Sequence, residues 1–368
     1  MFLKGQLHEE KYSLYNGDSC EVLPGLPDES IDISAYSPPF AELYNYSSSD
    51  RDLSNCNSYA DFLEHYGFIV KEMFRLTKPG RITAIHCMDL KGEGHNTWRD
   101  FPGDIIRLHE KYGFKYHSRH TIWKEPLRVA IRTRALGLAH RQLVKDSTEC
   151  KSAGADYIIV MRKPGENKVP VTHEYGLTTY AGENQPSSAL VLKYAKWENQ
   201  STNKLSHYIW RRYASSVWMD IRNGRVMQYK PARENKEEKH VCPLQLDVIE
   251  RLLCLYSNPG ELMLTPFMGV GSEVYCAVES GRRGIGIELK TTYYNQAVRN
   301  VKSAGLLGPK EGEDLLSLCA GKKDCPVVEN EDEDLDEFAD EDEAMEGVEG
   351  DDAEDEVDNG LEDDDDNE

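Results

Sequence analysis

Two short segments hold residues whose types and spacing can do chemistry. The first is Ser37-Pro38-Pro39-Phe40. Its two prolines fix the backbone and remove two N–H donors. What remains is carbonyl oxygen, a hydroxyl and an aromatic face. That set suits a planar amine, with acceptors for its N–H groups and a ring to stack on its base; alone, it is equally a rigid turn. The second segment runs from Leu262 to Ser272: an apolar stretch, then Thr265-Pro266-Phe267, then Gly269-Val270-Gly271 opening a helix. Glycines there let the backbone approach a ligand at a positive helix N-terminus. Seventeen residues past Gly271 a further strand ends in Glu288, where a carboxylate can accept hydrogen bonds from a ribose diol. Together these residues describe a nucleoside-cofactor site.

The elements that must position them read as alternating strands and helices. Tyr12–Asn16 and Asp32–Tyr36 are strands, joined by a helical turn over Glu21–Leu26. Apolar residues three and four apart predict a helix from Ser58 to Thr77, with Ser58 as N-cap and Pro79-Gly80 as its end. Arg81–Met88 reads as a buried parallel strand, Asp104–Tyr112 as a helix, and Lys115–Trp123 and Asp156–Met161 as further strands. The pattern returns with a helix over Pro243–Tyr256, a strand over Glu261–Leu264, a helix over Gly271–Ser280, a strand over Gly284–Glu288 and a last helix over Thr292–Ala304. Such alternation means βαβ units and a parallel sheet, an α/β fold. The stretch 165–238 breaks the pattern and reads as an insertion with its own surface.

Charge divides the chain. Of 65 acidic side chains, 25 lie between Glu329 and Glu368, where no Lys or Arg occurs. The remaining 40 face all 43 basic residues in the body. The net charge of −22 therefore belongs to a polyanionic tail, which excludes a basic tail that grips DNA and cannot bury enough apolar surface to fold. No run of about 18 apolar residues is present. The N-terminus lacks a signal-peptide pattern. Nine scattered cysteines, without a CxxC pair or Cys/His cluster, read as reduced thiols in a cytosolic protein, with no metal site.

The two segments together resemble the DNA amino-methyltransferases that modify cytosine N4 or adenine N6, whose catalytic motif is [DNS]-P-P-[YFW] and whose cofactor motif is D-P-F-x-G-x-G. The catalytic motif comes first here, which is similar to the permuted β-group order. Tyr15-Asn16-Gly17-Asp18 and Asp28-Glu29-Ser30-Ile31-Asp32 resemble the lead-in to the catalytic strand, and Lys239-His240-Val241-Cys242-Pro243 the segment before the cofactor strand. The resemblance spans roughly residues 10–303 and looks closest to phage-encoded site-specific members.

What the resemblance implies is a Rossmann-like sheet using S-adenosylmethionine, circularly permuted. It implies a catalytic half over 1–164, an inserted target-recognition region over 165–238, a cofactor half over 239–307 and a disordered acidic tail over 308–368. Ser37, Pro38, Pro39 and Phe40 would be catalytic. Ser37 and the Pro38 carbonyl would accept the amine hydrogens of a flipped-out base, and Phe40 would stack on it. Thr265, Pro266, Phe267, Gly269, Gly271 and Ser272 would line the cofactor pocket, with Glu288 on the ribose. Asp18 would lie near the adenine, and His240 and Pro243 near the methionine end. Thr265 departs from the pattern, since most relatives carry Asp there; cofactor affinity is then weaker, or another acid compensates. Ser at the first catalytic position favours cytosine N4 over adenine N6.

DNA is the expected partner. Arg128, Arg132, Arg134, Arg141 and Lys145 form a basic run without an acid before Asp146, suited to phosphate contact or simply to a solvated helix face. Trp210, Arg211, Arg212, Tyr213 and Trp218 in the insertion either read bases or form a small core. The 41–57 loop, with Tyr44 and Tyr46, closes over the base or is a plain surface loop. A homodimer is left open, as is a basic partner for the tail, which reads first as solubilising and second as a DNA competitor. The expected location is the cytoplasm of a bacterial or phage-infected cell. Two other readings stand beside this one: an RNA or protein-amide methyltransferase, and, from a different class, a catalytically weak DNA-binding or inhibitory protein.

Overall fold

The computed structural model describes residues 3–39, 53–56, 58–92, 97–133, 136–233, 243–304 and 327–329. Phe40, Arg134 and His240, the 41–52 part of the loop and nearly all of the tail lie outside the described residues. The chain forms two compact units. Residues 1–124 and 154–331 make the larger, and residues 125–153 belong to the smaller.

The larger unit carries strands β1 (Leu3–His8), β2 (Tyr12–Gly17), β3 (Ile31–Tyr36), β4 (Thr77–Met88), β5 (Lys115–Ile122), β6 (Asp156–Arg162), β7 (Val217–Trp218), β8 (Arg225–Met227), β9 (Leu262–Thr265), β10 (Arg283–Glu288) and β11 (Val327–Glu329). Its main sheet runs β1-β2-β10-β9-β3-β4-β6-β5-β7. The centre, from β2 through β10, β9 and β3 to β4, is parallel throughout. β9 lies beside β3 despite coming some 230 residues later, with Leu264 opposite Ser34. The permuted order is thus a spatial fact: the strand leading to Ser37 and the strand leading to Thr265 are neighbours, about 4.8 Å apart.

The expectation of a parallel sheet is corrected at both ends. β6 runs antiparallel to both β4 and β5, and β1 is antiparallel to β2. The β5 sequence is mostly polar and the β6 sequence is an apolar run, and neither pattern specifies the direction of its neighbour. β4 begins at Thr77 and passes through Pro79-Gly80, so those residues sit inside a strand, not at a helix end. Gly80 takes φ +73 there, a left-handed conformation open to glycine.

Helices cover both faces: α1 (Tyr59–Leu76) and α2 (Phe101–Lys111) on one, with α3 (Pro126–Thr133) and α4 (His140–Lys145) in the smaller unit, then α5 (Ser188–Tyr194), α6 (Lys204–Tyr213), α7 (Leu246–Tyr256), α8 (Ser272–Glu279) and α9 (Thr291–Lys302). Ser58 caps α1 as expected, its Oγ accepting the Asp61 N–H at 3.1 Å. α1 buries Phe62, Tyr66, Ile69, Val70, Met73 and Leu76 against one sheet face, each worth about 1.5–3 kcal/mol relative to exposure. α7, α8 and α9 bury Val248, Leu252, Val274, Ala297 and Val301 against the other face. All six residues of β3 are buried, as a strand covered on both faces requires.

The 165–238 stretch packs onto this body. Tyr180, Tyr194, Leu205, Ile209 and Tyr213 form a small core that extends to Cys254 and Leu255 of α7. Trp218 is buried and Arg251 of α7 is fully so, its guanidinium facing the Tyr213 ring at 4.9 Å and the Trp218 ring at 5.1 Å while it binds Asp220 at 2.8 Å. Tyr213 and Trp218 are therefore core residues, whereas Trp210 is exposed. Within 308–368, where a tail without structure is expected, the described residues Val327–Glu329 pair antiparallel with Arg225–Met227, because two β-branched valines precede the acidic run.

The smaller unit is short. α3 and α4 are joined by a helical turn over Leu136–Leu138, and the Lys151 N–H closes onto the Gly137 carbonyl at 3.1 Å. Val129 and Ala130 are buried, Arg128 and Lys145 are exposed, and Arg141 is half-buried.

Candidate active site

The carboxyl ends of the five parallel strands share one edge of the sheet, the place where open α/β sheets hold ligands. Asp18 follows β2, Glu288 ends β10, Thr265 ends β9, Ser37 follows β3 and His86 lies near the end of β4. The fold thereby gathers most of the expected site residues from opposite ends of the chain.

At the β9 end, Pro266 and Phe267 turn the chain and Gly269 and Gly271 lead into α8, with φ of +53 and +89. A Cβ on Gly271 would meet Ala297 and Val301 of α9 at 3.1 Å, so glycine is required by both conformation and space. A Cβ on Gly269 would meet nothing within 4 Å, which leaves open space beside the turn. The Gly269 N–H donates to Glu288 Oε2 at 2.8 Å, and the Lys290 N–H to Glu288 Oε1 at 2.8 Å. Phe267 sits by the Tyr36 and Tyr66 rings, with centroids 5.9 and 6.2 Å away.

The N-terminal lead-in joins the same end. Ser19 Oγ donates to the Pro266 carbonyl across 247 residues of sequence. Asp18 caps the turn Ser19–Val22, accepting the Cys20 N–H at 2.8 Å. Asn16 donates to the Glu288 and Leu289 carbonyls at 2.8 and 3.2 Å, tying β2 to the end of β10. Pro243 stands half-buried three residues before α7.

The residues of this end fit a nucleoside cofactor. Thr265 is fully buried and its Oγ1 lacks a hydrogen-bond partner among the described residues, a costly arrangement unless a ligand supplies one. Space is open beside Gly269. A carboxylate has about four lone-pair sites, so the two backbone N–H groups on Glu288 leave capacity for a diol. A second acid also stands here: Glu273, at the start of α8, is buried, and burial with the nearby Glu288 charge pushes its carboxyl up to about 8. Reading the sequence for the missing acid at 265 did not reach Glu273; an acid in the first turn of the helix after Gly271 was the available signal.

At the β3 end, Ser37 Oγ lies 2.8 Å from His86 Nδ1. His86 Nε2 lies 3.0 Å from Asp156 Oδ2 at the start of β6, and Lys124 Nζ approaches the same oxygen at 2.5 Å. Burial works against the Asp156 charge, but Lys124 and His86 outweigh it and hold the carboxyl well below the usual carboxylate range. Pro38 is buried and Pro39 half-buried behind Ser37. None of His86, Lys124 and Asp156 stood out in the sequence. A histidine near the end of an apolar strand was the one hint.

The basic run divides between described and undescribed residues. Arg128, Arg141 and Lys145 belong to the 125–153 unit; the Arg132 side chain and all of Arg134 lie outside the description. Among the described residues, no helix is long and apolar enough to cross a membrane.

Comparison with known proteins bears on this geometry. A DNA methylase family model, for enzymes of the N6 and N4 type, matches residues 31–299, most of the chain. The type II methyltransferase M.BamHI of Bacillus amyloliquefaciens is 23% identical over 288 residues, covering 78% of this chain and 56% of its own length. M.BglI of Bacillus subtilis is 23% identical over 337 residues, covering 83% of this chain and 90% of its own. The chain thus spans little more than half of the first relative and nearly all of the second. Among solved structures, a Thermus thermophilus protein assigned as a DNA modification methylase matches with TM-score 0.53 at 21% identity, covering 80% of this chain and 95% of that one, in a complex with S-adenosyl-L-methionine. The cytosine-N4-specific PvuII DNA methyltransferase matches with TM-score 0.50 at 15% identity, covering 81% and 89%. With the family model covering both the Ser37 and the Gly271 ends of the site, the chain belongs to the N6/N4 DNA methylase family.

Proposed function

We propose that this chain is a site-specific DNA methyltransferase that moves a methyl group from S-adenosylmethionine to the exocyclic amino group of a flipped-out base, with cytosine N4 favoured over adenine N6. The observation that carries this is the adjacency of β3 and β9. It sets the Ser37-Pro38-Pro39 acceptors beside the Thr265–Gly271 turn. Its action belongs in the cytoplasm of a bacterial or phage-infected cell, where DNA is at hand.

When bound, the cofactor supplies an electrophilic methyl on a sulfonium. The chain's own residues do the rest. Glu288 holds the ribose hydroxyls, Gly269 and Gly271 let the backbone come close, Thr265 hydrogen-bonds through its orphaned hydroxyl, and Phe267 lines the pocket. Asp18, Pro243, Ser272 and His240 complete it by family likeness. Ser37 Oγ and the Pro38 carbonyl accept the two amine hydrogens. That draws the nitrogen toward sp³ and frees its lone pair to take the methyl; the sulfur would leave with the C–S electron pair and the surplus amine proton would pass to solvent, while Phe40 stacks on the base. Arg128, Arg132, Arg134, Arg141 and Lys145 contact phosphates.

Cytosine is favoured by the neutral Ser37 at the first catalytic position. Digesting DNA incubated with the protein and the cofactor, and identifying the methylated nucleoside by mass spectrometry, tests this. N4-methylcytosine is expected. N6-methyladenine would transfer the preference to adenine, and no methylated base, with no cofactor binding by calorimetry, would favour a non-catalytic DNA binder. Ser37→Ala is expected to cut the rate about a hundredfold or more with cofactor affinity near wild type.

A further inference from the structure

Ser37 does not stand alone. The chain Ser37–His86–Asp156–Lys124 is built from four places in the sequence: the residue after β3, the end of β4, the start of β6 and the segment after β5. A serine hydroxyl is ambiguous by itself, since it has one donor and two acceptor sites. Toward an amine it must accept; toward a ring carbonyl it would donate.

The ambiguity is resolved by the carboxylate. Asp156 is ionised and accepts only. The histidine nitrogen that faces it at 3.0 Å, Nε2, therefore carries the proton in the neutral ring. The approach is bent from the N–H axis, so the charge, not the alignment, fixes the tautomer. Nδ1 is then bare and accepts the Ser37 O–H at 2.8 Å. With its one hydrogen committed to the ring, Ser37 offers only lone pairs to a base.

We propose that His86, oriented by Asp156 and Lys124, is a positioning residue that locks Ser37 as an obligate hydrogen-bond acceptor, so that the site takes an exocyclic amine and rejects a ring carbonyl at the same position. This rests on the methyltransferase reading above and deepens it. Several charged or titratable groups surround the ring. Asp156 and Lys124 face it from β6 and beyond β5. His120 shares its sheet face across Ile158. Arg251 of α7 is bound to Asp220. Asp89 and Arg119 contact Tyr157, whose side chain is on the opposite face.

Two variants and one spectrum test the lock in the full chain. His86→Asn keeps an oxygen acceptor near the Nδ1 position. His86→Phe keeps a ring with no acceptor. Methyl transfer to unmodified plasmid DNA is expected to stay within about tenfold of wild type in His86→Asn and to fall about a hundredfold in His86→Phe. Equal losses in both variants would overturn the lock. Imidazole nitrogen chemical shifts of the ligand-free wild type are expected to show His86 protonated at Nε2 at neutral pH. Protonation at Nδ1 would overturn it whether or not the protein methylates DNA. A wild type that binds cofactor yet modifies no base would instead sink the functional reading, with the tautomer still deciding the lock.

Discussion

The Gly269 amide donates to the Glu288 carboxylate at 2.8 Å, so the cofactor-side turn and the tip of β10 hold each other. Glu288 fixes the turn through backbone N–H groups, and in its proposed role it keeps lone pairs for a ligand. Separating these tasks is possible by substitution. Glu288→Gln retains one amide-side acceptor for the turn and loses the charge. A drop in S-adenosylmethionine affinity of about tenfold or more is expected by calorimetry, with the melting temperature little changed. Unchanged affinity would remove Glu288 from the cofactor site.

Gly271 carries the tightest backbone demand in the site, with φ +89 and α9 side chains at 3.1 Å from where a Cβ would stand. Gly271→Ala is expected to cost about 1–3 kcal/mol of stability from the left-handed conformation and the crowding. Urea unfolding measures it, and a variant as stable as wild type would show that the turn has other conformations available.

Glu273 gives a pH dependence whose sign is fixed. Its carboxyl is pushed from an ordinary 4.5 up to about 8 in the folded chain. Below pH 4.5 both folded and unfolded states are protonated there, and the stability tied to this group is fully present. Between 4.5 and 8 the unfolded state ionises first, so that stability is progressively lost. Glu273→Gln removes the titration. The variant is expected to match wild type at pH 4–5 and to exceed it by a few kcal/mol at pH 8. Parallel stability curves across that range would show that Glu273 is not a buried neutral acid.

Phosphate contact by the 125–153 unit predicts a salt effect. Arg128→Ala with Lys145→Ala should flatten the slope of log affinity against log salt by about 2, without changing which DNA is preferred. An unchanged slope would return those residues to the role of a solvated face.

The acidic tail is expected to solubilise, not to compete. Truncation after Glu329 spares the pairing of Val327–Glu329 with Arg225–Met227. Such a truncation should leave DNA affinity at low salt within about twofold, where electrostatic competition is strongest. A clear rise would show that the tail occupies the DNA-binding surface.

The sequence by itself determined the two chemical segments, their permuted order and most strands and helices. These signals are local: prolines at 38 and 39 set φ and delete donors, glycines at 269 and 271 permit a left-handed turn, and apolar periodicity marks each element. Tertiary structure alone decided the direction of β5 and β6, since a strand's own sequence carries no mark of its neighbour's direction. It also decided which polar groups meet. His86, Lys124 and Asp156 lie 49, 87 and 119 residues beyond Ser37, and only the antiparallel register of β6 against β4 and β5 brings Asp156 to the catalytic edge. The same holds for Thr265 and Glu273: a missing acid is visible in a motif, but the buried Glu273 carboxyl near Glu288 is defined by the packing of α8, because burial and charge proximity are properties of the assembled fold.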